Sequence, residues 1–151
     1  MAKKLKLQID SGSAFRIIGL SSTAKSYKMA FLINQALKLN LARSEDFLFY
    51  NDSVKQEIQY SLFVQIIPDS NGHICLLQNR HPEGFLIPIL RQADYFVLLH
   101  ENPQEHIIPE YLQKMKKTRE ILAAFPIDKP AAKNTARILE ELEMHLMEHS
   151  K

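Results

Sequence analysis

The feature that most constrains the fold is a run of alternating apolar residues and the turn that follows it, over residues 57–79. Every second residue of its first part is apolar, a period of two that is typical of a strand with one face on a core: Ile58, Tyr60, Leu62, Val64 and Ile66. Residues 68–72, Pro-Asp-Ser-Asn-Gly, supply a turn, since Asn-Gly tolerates the positive φ angles of a reversal. The apolar residues 73–79 then return as a second strand. We therefore predict a central β-hairpin over residues 57–79, which needs further strands to be stable.

The remaining elements complete an α+β pattern. Strands are predicted at residues 5–9, 15–20, 47–50 and 95–100, and helices at residues 24–40, 109–124 and 130–149. Residues 85–90 contain Pro88, which suits either an edge strand or an irregular crossing. This order predicts an antiparallel β-sheet of about five to six strands, covered by one N-terminal helix, with two C-terminal helices.

Composition narrows the class of protein. The 151 residues are 46% hydrophobic, as expected of a folded domain, and the net charge of +2 is too small to indicate nucleic-acid binding. Cys75 is the single cysteine, so the chain has no internal disulfide. No apolar segment is long enough for a signal peptide or a membrane span. We expect a cytoplasmic protein without membrane or nucleic-acid partners.

Residues 87–95, with the sequence IPILRQADY, resemble the motif of the bacterial IPExxxVDY family. The motif's spacing is matched at four positions of otherwise unknown role: Ile87, Pro88, Asp94 and Tyr95. The glutamate and valine of the motif are replaced by Ile89 and Ala93. The resemblance implies an α+β domain over residues 1–128, followed by a helical extension, residues 129–151, packed on it or on a partner. It implies no activity, because the family has none established.

The motif positions also have a structural interpretation. Pro88 would direct a crossing, and Tyr95 would enter the core where the last strand begins. Asp94 would hold the crossing loop through hydrogen bonds to the backbone. We favour this interpretation over a chemical role for Asp94.

Two short motifs suggest ligands. Ser21, Ser22, Thr23 and Lys25 lie at the start of the first helix, where hydroxyls, free amides and a lysine can hold a phosphate or carboxylate. N-capping of the helix by Ser22 or Thr23 explains the same residues. At the C-terminal end, residues 145–149 spell H-x-x-E-H, an inverted zinc-protease motif. Because this motif lies at a chain end with no further ligand, we predict no functional metal and no cofactor.

The first helix has a second apolar face, formed by Tyr27 and Phe31. The last helix carries a stripe that includes Leu142 and Leu146, so we predict that these two surfaces cover each other or meet a second copy of the chain. No catalytic set can be assembled from the spacing of the residues. The sequence therefore predicts a non-catalytic, cytosolic protein-interaction domain, whose partner is another protein or a homodimer mate. The alternatives are a small anionic-ligand-binding domain using residues 21–25 and, more weakly, an enzyme of unidentified class.

Overall fold

Three helices and eight strands make up the parts of the chain that the computed structural model describes, residues 15–67, 72–101, 107–127 and 133–148. In chain order they are β1 (Phe15–Ser21), α1 (Ser26–Leu37), β2 (Ala42–Arg43), β3 (Phe47–Asn51), β4 (Gln56–Tyr60), β5 (Leu62–Ile66), β6 (His73–Gln78), β7 (Tyr95–His100), α2 (Ile107–Lys116), β8 (Ala123–Ile127) and α3 (Lys133–Glu148). A 3-10 turn, Pro88–Leu90, lies between β6 and β7. The strand predicted at residues 5–9 lies outside the described residues.

Six of the strands form one antiparallel sheet in the order β2-β5-β6-β7-β1-β8. The other two, β3 and β4, pair with each other in a separate two-stranded sheet. All six residues of β7 are buried, because both faces of the large sheet are covered. The predicted α+β class, with an antiparallel sheet and two C-terminal helices, is confirmed.

Two apolar cores lie on the two faces of the large sheet. One core contains side chains of α1 and α2, among them Met29, Ile33 and Met115. The other contains side chains of α3 and of the β3–β4 pair, among them Leu142 and Phe47. Alternate residues of the central strands contribute to each: in β7, Phe96 and Leu98 belong to the second core, whereas Tyr95, Val97 and Leu99 belong to the first.

The two arms of the predicted hairpin pair beyond Ser61, where the first arm is divided; residues 68–71 of the predicted turn lie outside the described residues. Residues beyond Ser61 form β5, which pairs with β6 as predicted, whereas residues before it form β4, which pairs with β3. The Ser61 amide donates to the side chain of Gln78 at 2.9 Å, and the Gln78 amide donates to the Ser61 carbonyl at 3.1 Å. The alternation predicted neither the burial pattern of β5, in which Phe63 is buried and Ile66 is 49% exposed, nor which strand each half of the arm would join.

The region after α2 differs from the prediction. The helix expected over residues 109–124 ends at Lys116, and β8 then pairs with β1, with Pro126 opposite Ile18. Among the strands described, β8 is an edge strand, where the missing N–H of a proline is tolerated. Leu122, inside the predicted helix but just before β8 in the structure, is 72% exposed.

The stripe on α3 is buried within the chain. Leu142 is fully buried and Leu146 is 2% exposed, both in the core of the β3–β4 side. Tyr27 and Phe31, by contrast, lie on α1 on the other side of the large sheet and are 70% and 57% exposed. The prediction that these two surfaces cover each other is therefore wrong, because the sheet lies between the two helices. Leu142 and Leu146 are core residues rather than interface residues.

Candidate functional site

An open cleft of about 430 Å³ lies where α1 begins. Three segments far apart in the chain line it: Ser22, Thr23, Ala24, Lys25 and Ser26; Gln78, Arg80, His81 and Pro82; Asp94 and Tyr95. The cleft thus brings together three of the residues predicted to bind an anion and two positions of the resemblance motif. Ser21, at the end of β1, and the motif's Ile87 and Pro88 are not among its lining residues.

Asp94 joins two of these segments. Its carboxylate accepts a hydrogen bond from the Ser22 amide at 2.8 Å and pairs with Nε of Arg80 at 2.7 Å. Its backbone carbonyl accepts from the amides of Asn79 and Arg80, at 2.9 and 3.1 Å. The carboxylate therefore bonds to the backbone before α1 and to a loop side chain, while the backbone carbonyl of Asp94 holds the start of the crossing loop. These bonds hold Asp94 in a fixed position in the lining of the cleft.

Helix α1 begins without a side-chain cap. Lys25 occupies the N-cap position in an extended conformation, and no acidic residue lies in the first turn. The predicted capping by Ser22 or Thr23 is wrong. The Ser22 hydroxyl instead donates to the carbonyl of Glu120 at 2.6 Å and accepts from the Ala24 amide at 3.1 Å. The positive end of the helix dipole therefore lies beside the cleft, which Lys25 and Ser26 line, without a capping side chain.

Tyr95 and Ser26 hold the segment that carries Lys25 at one side of the cleft. The Tyr95 hydroxyl donates to the carbonyl of Ala24, and burial raises the pKa of this phenol, so it remains a donor at neutral pH. The hydroxyls of Ser26 and Ser61 lie 2.6 Å apart. As predicted, Tyr95 is buried where β7 begins. These contacts fix the segment that carries Lys25.

Basic groups dominate the exposed part of the cleft. The guanidinium of Arg80 is half exposed even though its Nε is paired with Asp94. Nδ1 of His81 accepts from the Glu83 amide at 3.0 Å, so a neutral His81 carries its proton on Nε2 as a donor. Together with Lys25, these groups suit a carboxylate or phosphate. Among the described lining residues, no hydroxyl is hydrogen-bonded to a histidine or carboxylate side chain, which is the pairing that activates a nucleophile.

Asn79, which the sequence reasoning did not single out, organises the loop behind the cleft. This fully buried side chain donates from Nδ2 to the carbonyls of Leu90 and Ala93, at 3.1 and 2.8 Å. Its Oδ1 accepts from the Ile87 amide at 2.7 Å. The sequence carried no signal for this role, since a polar residue after a strand is the ordinary start of a loop. Pro88 begins the 3-10 turn inside this loop, so residues 85–90 are the irregular crossing of the two alternatives.

The H-x-x-E-H motif does not assemble among the described residues. Nε2 of His145 lies 3.1 Å from the carbonyl of Glu45, and its ring packs edge-on against Phe47 with centroids 5.8 Å apart. His149 lies outside the described residues. His145 is therefore engaged in holding α3 to the segment before β3.

Comparisons with protein-family models, with curated proteins and with solved structures give no match to this chain. In the part of the chain that the structure describes, no helix combines the length and the apolar character needed to cross a bilayer.

Proposed function

We propose that this protein is a non-catalytic binding domain that holds an anionic group, a carboxylate or a phosphate, in the cleft at the start of α1. The observation that carries the proposal is the uncapped start of α1, which opens on a cleft rimmed by Lys25 and Arg80. Amides at a helix start and the helix dipole favour negative charge, and the two cations add to that preference. The group can belong to a small molecule or to an acidic segment of a protein.

The exposed aromatic residues of α1 favour a protein as the source. Tyr27 directly follows Ser26, which lines the cleft, and Phe31 lies one turn further along the helix. Covering a side chain of this size is worth roughly 1.5–3 kcal/mol. A partner segment that places a carboxylate in the cleft and apolar side chains on Tyr27 and Phe31 uses both features. A second copy of this chain is the alternative protein source.

The test measures binding of two probes by calorimetry and thermal shift: inorganic phosphate, and a synthetic peptide of alternating glutamate and leucine. A peptide with glutamine in place of glutamate is the neutral control. Both anionic probes should raise the melting temperature, and added salt should weaken their binding, because exposed charges are screened. Lys25→Gln should weaken the binding of both anionic probes by about threefold or more, which corresponds to about 0.65 kcal/mol. Lys38→Gln, at the other end of α1, is the matched control and should have no effect.

The variants Tyr27→Ser and Phe31→Ser distinguish a protein segment from a small molecule as the source of the anionic group. If the natural ligand is a protein segment, these changes should weaken the peptide and leave phosphate binding unchanged. If both probes bind equally well to these variants, the anionic group comes from a small molecule. Sedimentation of the free protein identifies a dimer directly. Absence of binding for both probes, or equal binding to the Lys25→Gln variant, would disprove the proposal.

Location and family are part of the same proposal. We propose a cytoplasmic location, which the unpaired and buried Cys75 supports, since disulfides are typical of oxidising compartments. Membership of the bacterial IPExxxVDY family is supported by the motif itself, whose Ile87 and Asp94 both bond to Asn79. The small net charge supports the absence of a nucleic-acid partner.

A further inference from the structure

A histidine and two carboxylates meet at the end of β7 that is remote from the cleft. His100 is the last residue of β7 and is 3% exposed. Its Nε2 lies 3.0 Å from Oε2 of Glu143, on α3, and 3.9 Å from Oε2 of Glu101. One ligand atom from each residue lies within 4.8 Å of the other two. This cluster joins the sheet to the helix packed on it.

A second buried histidine orients the first. His73 is paired with His100 in the β6–β7 register, and their Nδ1 atoms lie 3.2 Å apart. Nδ1 of His100 therefore faces a ring nitrogen of His73, whereas Nε2 of His100 faces the two carboxylates. In the tautomer that carries the proton on Nδ1 of His100, the lone pair of Nε2 is directed at the two carboxylates. Metal-binding histidines are held in this way, with the second ring nitrogen donating to a fixed acceptor.

This tautomer places an unprotonated nitrogen 3.0 Å from a carboxylate oxygen, which is repulsive unless a cation lies between them. The other tautomer, with Nε2 of His100 donating to Glu143, is the metal-free form. In both forms, Nε2 of His73 has no hydrogen-bond partner among the described residues. One tautomer of His100 thus suits a bound cation, and the other suits a hydrogen bond to Glu143 without a cation.

We propose that His100, Glu101 and Glu143 bind a divalent transition-metal cation, with Zn²⁺ the best fit to one imidazole and two carboxylates. Tetrahedral ligands bound at about 2.0–2.2 Å from a cation lie about 3.3–3.6 Å apart, so the 3.0 Å between Nε2 of His100 and Oε2 of Glu143 must widen by a few tenths of an ångström on binding. Glu101 is half exposed, so a small side-chain rotation closes its longer distance. Three protein ligands leave a coordination position for water or another group.

The surroundings of His100 favour this site over a simple hydrogen bond to α3. The ring of Phe15 packs on His100 with centroids 4.7 Å apart and shields one face of the imidazole. The carboxylates of Glu101 and Glu143 place two negative charges beside this buried ring, and a divalent cation bound to all three groups neutralises both charges. The site is separate from the cleft, so it is independent of the proposed function.

The test uses untagged protein freed of metal with a chelator. Zn²⁺ is titrated by calorimetry and in competition with a chromophoric chelator, and Mg²⁺ is titrated as the comparison. We expect one Zn²⁺ per chain, a melting temperature raised by Zn²⁺ more than by Mg²⁺, and a shift of the His100 ring resonances on binding. Glu101→Gln and Glu143→Gln should each weaken Zn²⁺ by about tenfold or more, equivalent to about 1.4 kcal/mol.

Two controls distinguish this site from others on the chain. Glu140→Gln removes an exposed carboxylate from the same helix and should leave Zn²⁺ binding unchanged. His149→Ala removes a histidine of the H-x-x-E-H motif and should also leave it unchanged. Glu101 is half exposed, so its variant should fold even if a change at Glu143 disturbs α3. The proposal is overturned if the protein does not bind stoichiometric Zn²⁺, or if Glu101→Gln and Glu143→Gln both bind Zn²⁺ as tightly as the wild type. Loss of Zn²⁺ binding in the His149→Ala variant would also overturn it.

Discussion

The side-chain amide of Asn79 donates a hydrogen bond to the backbone carbonyl of Ala93, 2.8 Å away, from the end of β6 to the residue before the motif's Asp94. Two further bonds of the same side chain, to Ile87 and Leu90, hold the crossing that precedes the cleft. The backbone of Asp94 in turn accepts from the amides of Asn79 and Arg80. The geometry of Arg80 and Asp94 in the cleft therefore depends on one buried amide.

Asn79→Ala should be strongly destabilising. The change leaves the Ile87 amide and the carbonyls of Leu90 and Ala93 without their partner, at about 1–3 kcal/mol for each buried group left unsatisfied. Some relaxation will occur, so we expect a loss of about 3–5 kcal/mol in the free energy of unfolding, measured in urea. Asn40→Ala, at an exposed position, is the control and should change the value by less than about 0.5 kcal/mol. A loss below about 1 kcal/mol for Asn79→Ala would show that the loop does not depend on this side chain.

Leu142→Ala should destabilise the protein without changing its mass in sedimentation. Leu142 is fully buried in the core beneath α3, where truncation of a leucine costs about 2–5 kcal/mol. Met144→Ala, at a position that is 61% exposed on the same helix, should cost far less. If Leu142→Ala changed the mass from dimer to monomer, α3 would be an interface instead of part of the core.

Tyr60 should make the protein sensitive to alkali. Its hydroxyl donates to the Gly84 carbonyl at 2.8 Å, and burial raises its pKa from 10.0 to about 12. Because the pKa is higher in the folded state, the contribution is complete below pH 10 and is lost as the pH rises to about 12. It amounts to about 2–3 kcal/mol. Tyr60→Phe should lose about 1 kcal/mol at pH 7 with the hydrogen bond, yet decline less steeply than the wild type between pH 10 and 12. Parallel pH profiles of the two proteins would contradict this account.

Lys38→Gly should stabilise the protein. Lys38 ends α1 with φ 58°, a left-handed conformation that glycine adopts more readily than lysine. We expect a gain of about 0.5–1 kcal/mol, or about 1–4 °C in melting temperature. Gln35→Gly, at an exposed position inside the same helix, should instead lose about 1 kcal/mol. A loss of stability in both variants would show that the backbone at Lys38 is not the source of strain.

Much of the local structure follows from the sequence because each element carries its own period. The alternation in residues 57–60 and the apolar run in residues 95–100 specify strands, and the stripe of Met29, Ile33 and Leu37 specifies a helix face. These signals are local, since a side chain's face depends only on its neighbours along the chain. They were sufficient for the α+β class and for the buried strand β7.

The tertiary structure alone decided which elements meet. The division at Ser61 and the pairing of β8 with β1 depend on strands distant in the sequence, and the helical character of Ala123 and Ala124 was overridden by that pairing. The cleft is another example, because the segment containing Lys25 reaches Asp94 only when β1 and β7 lie side by side. The His100–Glu143 contact needs α3 to pack on the sheet. A one-dimensional pattern records how far each residue is from its neighbours along the chain, whereas a site depends on distances that only the packed core fixes.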